Sequence, residues 1–305
     1  MIVAAGLTPA WQQMLVFDGL RVGEVNRARE AHWCSSGKVL NVGIALHHLG
    51  GPNITVALVG GAPGESIEGE FAELGIARKM VRAKRPTRCC TTILDQAEGV
   101  TTELVENAGA VEPEEIAEYL RAFEDAARGA RMAVLSGSLP PGAPKTFYRD
   151  LMARTHSRVV IDARGPELLE ALPLKPFCVK PNREELGKTF GRTLQSDDEL
   201  KEAMRETIRL GAEWIVVSAG KDRLWAMSSG GLHTFRPARV PTVNPIGCGD
   251  CLAAGIAWSA EQGSDMLDAV RFGMAAAAEN ASMLLPSRLS LESVRRRMAD
   301  VVREA

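Results

Sequence analysis

No stretch of the 305-residue chain reaches the ~18 consecutive apolar residues that a membrane helix requires. A Lys/Arg-rich block and a basic amphipathic stretch are also missing. Lysine and arginine total 36 against 38 aspartates and glutamates, a net charge of −2. That balance excludes the dense basic surface of nonspecific nucleic-acid binding. With 46% hydrophobic residues the chain is not disordered, and it contains no internal repeat and no low-complexity linker. No second C-x-x-C or H-x-x-x-H pattern joins the cysteines, so a zinc site using His32, His47 or His48 lacks a ligand set. A chain of this size buries a large core and needs no staples. Cys34, Cys89, Cys90, Cys178, Cys248 and Cys251 therefore read as reduced thiols. Met1–Leu7 is apolar but has no basic n-region, and Pro9 soon interrupts it. The expectation is a first buried strand rather than a signal peptide. What remains is a soluble, cytoplasmic α/β protein.

Short β-branched runs alternate with helical patterns. Strands are expected over Ile54–Val59, Met132–Leu135, Arg158–Asp162, Cys178–Lys180 and Trp214–Ser218. Helices are expected over Gly64–Leu74, Glu112–Ala127, Lys145–Arg154, Arg183–Phe190 and Ser196–Leu210. This rhythm implies βαβ units and a doubly wound, mostly parallel sheet with helices on both faces. The last third reads as three helices, Asp250–Gln262, Asp265–Leu285 and Leu291–Glu304, with small residues at Ala275–Ala278 for close packing. Two stretches break the rhythm, about 11–33 and 87–105. Both look extended, with turns at Phe17-Asp18-Gly19 and Ala97-Glu98-Gly99. They are expected to pair as a small β-sheet lid, inserted in a single domain spanning 1–305.

Three local patterns carry chemistry. Asn244-Pro245-Ile246-Gly247-Cys248-Gly249-Asp250-Cys251 follows an extended run, Arg239–Val243, and opens a helix. Its glycines allow a tight turn and close backbone approach. The free N–H groups of the helix start suit a phosphate or a developing anion. Asp250 there reads either as a helix cap or as a catalytic base. A second glycine loop, Ser35-Ser36-Gly37-Lys38-Val39-Leu40-Asn41, lacks Walker A spacing but suits a polyol or phosphate. In Lys180-Pro181-Asn182-Arg183-Glu184-Glu185, Asn182 and Glu185 share a helical face. They read either as a capping box or as a hydrated Mg²⁺ site beside a nucleotide phosphate.

Taken together and in order, these patterns resemble the ribokinase-like (PfkB) carbohydrate kinases. The similarity is greatest to the branch of 1-phosphofructokinase and tagatose-6-phosphate kinase. Gly37-Lys38-x-x-Asn41 with Gly50-Gly51 is similar to the first family signature, and Asn244-x-x-Gly247-x-Gly249-Asp250 to the second. Ser136-Gly137-Ser138-Leu139-Pro140-Pro141-Gly142 and Lys180–Leu186 resemble the same branch. The resemblance implies ATP-dependent phosphorylation of a hexose monophosphate, of the fructose 1-phosphate or tagatose 6-phosphate type, with Mg²⁺. Asp250 would be the general base, and Gly247-Cys248-Gly249 the anion hole. Lys180, Asn182, Ser218, Gly220 and Asn280 would border ATP, and Glu185 would hold Mg²⁺ through water. Gln12, Gly37, Lys38, Asn41, Arg88, Ser138 and Arg27 would meet the sugar or its phosphate. Lid sheets in this family often pair, which implies a homodimer.

The chain departs from the branch at several points. Gln12 stands where the family has an Asp that binds sugar hydroxyls, with Trp11 beside it. Ser36 replaces the first glycine of the hinge, and Arg223 stands where glycine is usual on the nucleotide side. Cys251 follows Asp250 in place of Ser or Thr, and Cys89-Cys90 replaces a polar pair. Rival readings are a thiol oxidoreductase using Cys248-x-x-Cys251, a kinase of a free sugar or nucleoside, and a sugar-binding regulatory protein with little turnover.

Overall fold

The computed structural model describes residues 1–304. In chain order its elements begin β1 (Ile2–Gly6), β2 (Ala10–Phe17), β3 (Glu30–Ser36), α1 (Lys38–Leu49), β4 (Asn53–Val59), α2 (Gly61–Glu73), β5 (Arg78–Arg82), β6 (Arg88–Asp95), β7 (Val100–Val105), α3 (Pro113–Ala126) and β8 (Met132–Ser136). They continue with α4 (Phe147–Met152), β9 (Arg158–Asp162), α5 (Pro166–Ala171), β10 (Cys178–Val179), α6 (Arg183–Thr189), α7 (Asp197–Arg209), β11 (Trp214–Ala219), β12 (Arg223–Ser228) and β13 (Gly231–Arg236). The chain closes with α8 (Cys248–Glu261), α9 (Met266–Ala281), α10 (Leu291–Arg297) and β14 (Val302–Glu304).

The large sheet runs β14-β13-β12-β11-β10-β9-β8-β1-β4-β5, and every pair from β11 to β5 is parallel. Side chains alternate across it. On β1, Ile2 and Ala4 pack with residues of α1, α8 and α9, while Val3 and Ala5 pack with α3 and α4. Both faces are thus covered, which is why these strands are apolar throughout. Each buried Val, Leu or Ile contributes about 1.5–3 kcal/mol. The centres of α8 and α9 nearly touch, since a Cβ on Gly255 would stand 2.7 Å from Gly273 Cα. A second sheet, β3-β2-β6-β7, forms from the two irregular stretches, as expected. No described helix is long and apolar enough to cross a membrane.

The chain reverses direction of winding at β1, with β4 on one side and β8 on the other. Ligand crevices open at such points, beyond the carboxyl ends of the strands. Tyr119 of α3 secures this end of β1: its buried hydroxyl accepts from Gly6 N–H at 2.7 Å and lies 2.7 Å from the Val56 carbonyl. Gly6 itself tolerates no side chain, because a Cβ would stand 2.1 Å from Ser136 O.

Several sequence expectations need correction. Leu291–Glu304 is not one helix. It is α10, a 3₁₀ turn at Met298–Asp300, and β14, which pairs antiparallel with β13. The unpaired edge of β13 and the Val301-Val302 pair win over helical periodicity. The antiparallel hairpin β12–β13 was also not anticipated, although Ser229-Gly230-Gly231 is a turn signal. Arg239–Val243 forms no strand, Lys145–Arg154 is helical only over Phe147–Met152, and α8 starts two residues before Asp250.

Candidate active site

Five carboxyl ends and two helix starts converge over the crevice. Gly6 ends β1 before Leu7-Thr8, Ser136 ends β8 before Gly137-Ser138, Asp162 ends β9, Lys180 follows β10 and Ser218 lies near the end of β11. Helix α1 opens at Gly37 and α8 at Gly247. Both caps need glycine. Gly37 has φ +83°, and its Cβ would stand 2.8 Å from Thr8 O. Gly247 has φ +82°, and its Cβ would stand 3.1 Å from Pro286 Cβ.

Asp250 is in the first turn of α8 and is buried. Its side chain caps no backbone N–H; instead Oδ2 accepts from Asn41 Nδ2 at 2.7 Å. The helix-cap reading is therefore set aside. Burial, then the negative charge of Asp162, pushes the Asp250 carboxyl up to about 6, against the pull of Lys38, Asn41 and Lys180. A base must be ionised to accept a proton. Turnover that depends on Asp250 should therefore be flat above neutrality and fall tenfold per pH unit below about 6. A kcat/KM profile still flat at pH 5 excludes Asp250 from the rate-determining proton transfer.

Two lysines and two carboxylates stand beside this carboxyl. Lys38 Nζ lies 2.9 Å from Asp162 Oδ1 and 3.1 Å from Glu185 Oε1. Burial would lower the Lys38 ammonium, but Asp162, Glu185 and Asp250 together raise it. Lys180, also buried, lies 3.4 Å from Asp162 Oδ2. Burial alone would raise Asp162; Lys180 and Lys38 overcome it and hold the carboxyl below its ordinary value. Gly249 leaves room for this group, since its Cβ would be 3.5 Å from Lys180 Nζ. Asp162 was not singled out from sequence. The available signal was a carboxylate ending an apolar parallel strand.

Of the two readings of Asn182 and Glu185, the capping box is the one present in the structure. The capping box forms, with Glu185 N–H donating to Asn182 Oδ1 at 2.8 Å and Asn182 N–H to Glu185 Oε2 at 3.0 Å. The remaining carboxylate oxygen of Glu185 faces Lys38. Ser218 bridges to Asn182, and Gly220 turns at φ +58°. On the lid side Gln12 is buried and donates from Nε2 to Thr92 Oγ1 at 2.9 Å. The Ser138 hydroxyl lies 3.5 Å from Thr8 Oγ1. Arg88 spends its guanidinium on the carbonyls of Pro9, Thr8 and Glu106, at 3.3–3.4 Å.

Three residues lie outside the Lys38–Asp162–Lys180–Asp250 cluster. Arg27 is exposed in the β2–β3 connection, and among the described residues it pairs with none of the others. Asn280 is fully buried, its carboxamide turned to Ile246, Cys248, Cys251 and Ser287. Arg223 turns to Glu304 of β14 at 3.0 Å and to Asp197 at 3.9 Å. Burial disfavours the thiolate form of both cysteines of the C-x-x-C pair. Burial pushes the Cys248 thiol up to about 11 and the Cys251 thiol well above its ordinary value.

A parallel sheet whose crevice holds paired lysines, a desolvated carboxylate and a glycine-built helix start defines a phosphotransferase. The sequence profile described as pfkB family carbohydrate kinase matches residues 11–285. The chain belongs to the pfkB family of carbohydrate kinases, enzymes that phosphorylate a hydroxyl acceptor. Among solved structures, Escherichia coli phosphofructokinase-2 in complex with substrates and products is 26% identical, with a TM-score of 0.88 over 98% of each chain. A "possible 1-phosphofructokinase" from Thermotoga maritima is 22% identical, with a TM-score of 0.90 over 99% of this chain and 98% of that one. Ribokinase from the same organism is 19% identical, with a TM-score of 0.77 over 97% and 99%. At those identities the last two speak for the fold.

Proposed function

We propose that the protein transfers the γ-phosphoryl group of ATP to a hydroxyl of a hexose monophosphate, of the fructose 1-phosphate or tagatose 6-phosphate type. One observation carries this reading: a buried carboxylate, Asp250, pushed up to about 6, at a helix start flanked by Lys38 and Lys180. Asp250 takes the proton of the acceptor hydroxyl. The backbone N–H groups of Gly247 and Gly249 face the equatorial oxygens of the transferring group, the Cys248 N–H donates to the Pro245 carbonyl at 3.3 Å and shapes the turn, and Lys180 adds fixed charge. Asn41 orients the base and meets the sugar with Gln12, Gly37 and Ser138. Asn182, Ser218 and Gly220 border the nucleotide.

The oxygen donors present suit a hard divalent cation. Glu185 and Asp162 both reach Lys38, and the buried Asp162 Oδ2 has only the Lys180 ammonium, 3.4 Å away, beside it among the described residues. Glu185, through water, and Asp162 would hold Mg²⁺, which neutralises phosphate charge when bound. Phosphorus NMR tests the overall reaction: a second phosphomonoester signal on the sugar supports it, and release of inorganic phosphate alone overturns it.

Escherichia coli phosphofructokinase-2 has been solved with fructose-6-phosphate, at 26% identity to this chain, which supports a phosphorylated acceptor. A free sugar or nucleoside is the second reading. It is favoured by the neutral Gln12 and by an Arg88 already engaged with three carbonyls. Under the first reading, Arg88→Ala raises KM for a sugar phosphate much more than for the free sugar. Equal effects would mean that Arg88 reads no phosphate.

We also propose a homodimer through the lid. The pairings Trp33↔Gln13↔Thr91↔Leu104 place Trp33 and Leu104 on one face, and they are 48% and 56% exposed. Trp11 stacks on Trp33 with 6.0 Å between ring centroids. Sedimentation velocity should give a dimer that Trp33→Glu disperses. A monomeric wild type at micromolar concentration contradicts it.

A further inference from the structure

Asn280 lies in the last turn of α9, fully buried. A carboxamide offers two N–H donors and an oxygen with two lone pairs, and here all four are used. Nδ2 donates to the Ile246 carbonyl at 2.8 Å and to Cys248 Sγ at 3.3 Å. Oδ1 accepts from Ser287 N–H at 2.6 Å and from the Cys251 thiol at 3.4 Å. One side chain thus joins the turn before α8, the first turn of α8 and the segment after α9.

That last segment is itself a wall of the site. Ser287 has φ +67°, a left-handed conformation that a serine keeps only when its surroundings hold it. A Cβ on Gly247 would stand 3.1 Å from Pro286 Cβ and 3.4 Å from Ser287 Oγ, so the segment backs the turn directly. A second buried amide, Asn244, secures the other half. It accepts from Ile246 N–H at 3.0 Å and donates to the Leu284 carbonyl at 2.8 Å. The Ile246–Asp250 turn is gripped from both sides: Asn41 holds the Asp250 carboxylate, and Asn280 ties Ile246 and Cys248 to the segment after α9.

We propose that Asn280 is a positioning residue for phosphoryl transfer: its buried amide holds the Ile246–Asp250 turn in the one shape that aims the backbone N–H groups and Asp250 at the reacting phosphoryl. This rests on the reading of Gly247–Asp250 as anion hole and base. It also gives the sulfurs of the C-x-x-C a use, as soft hydrogen-bond partners of one amide rather than as a redox pair. Electrostatic stabilisation depends on donors fixed in advance, so loosening the turn should lower kcat more than it weakens ground-state binding.

The test compares wild type with Asn280→Asp, which keeps size but loses both donors. Asn280→Ser serves if that variant does not fold. Two readouts are taken, steady-state kinetics with MgATP and a sugar phosphate, and the rate of Cys248 alkylation by iodoacetamide, mapped by mass spectrometry. The expected result is a kcat lowered about 10²-fold, as for small misplacements of reacting groups, with both KM values changed less than about threefold. Cys248 should alkylate about tenfold faster as the turn opens, while Cys178 in the core stays protected. Unchanged kcat, or equal gains in Cys248 and Cys178 labelling, overturns the positioning role and leaves the kinase reading intact. A wild type that phosphorylates no sugar overturns that reading; the labelling ratio then decides whether Asn280 holds the turn.

Discussion

Asp250→Asn is expected to lower kcat by at least about 10²-fold, the usual cost of losing a general base, with ATP binding retained. The amide is nearly isosteric and still fits against Asn41, but it cannot take a proton. The mutant should also lose the acid limb of the pH profile, because that limb belongs to a carboxyl pushed up to about 6. Steady-state kinetics with direct nucleotide-binding measurements separate the outcomes. A mutant as fast as wild type removes Asp250 from the chemistry. A mutant that neither turns over nor binds ATP points to a folding defect and is resolved by its melting curve.

Asp162→Ala is expected to cost stability as well as rate. Asp162 is buried between Lys180, itself buried, and Lys38, a third exposed. Removing the carboxylate leaves a buried ammonium without its compensating charge, which costs about 3–5 kcal/mol when such pairs are broken. At about 2–4 °C per kcal/mol for chains of somewhat smaller size, Tm falls by on the order of 10 °C. Urea or thermal denaturation measures this directly. A loss below about 1 kcal/mol would mean that water or Asp250 already compensates Lys180. Asp162→Asn should recover part of the stability but not the electrostatics that hold Lys38.

The core of the molecule was legible because each βα unit carries its own periodicity. Ile215-Val216-Val217 announces a strand buried on both faces, and β11 has that character. The lid was legible for the opposite reason: two stretches refused the rhythm and found each other. The carboxyl-terminal strand was not, because Leu291–Glu304 has helical spacing until the free edge of β13 captures its last residues. Local pattern cannot register an edge built by residues far away in sequence.

Within the site, the glycine loops mark tight turns of the backbone: Gly37 and Gly247 both open helices at positive φ, with protein atoms close to where a Cβ would stand. Charge pairing was less legible. Nothing local says that Lys38, 124 residues from Asp162, will share that carboxylate with Lys180. Position alone suggests Asn280 as an adenine neighbour; its burial and its four hydrogen-bond partners are properties of the packed chain. Under the proposed acceptor site, Gln12 is the departure that meets the sugar: one amide N–H donates to Thr92, leaving the carbonyl oxygen and the second N–H to offer.

The most direct measurement is ADP release from MgATP across fructose 1-phosphate, fructose 6-phosphate, tagatose 6-phosphate, fructose, ribose and adenosine. The proposed chemistry predicts turnover confined to sugar phosphates, abolished in Asp250→Asn. Turnover confined to a free sugar or nucleoside would contradict the acceptor class, and ADP release that Asp250→Asn leaves untouched would contradict the base.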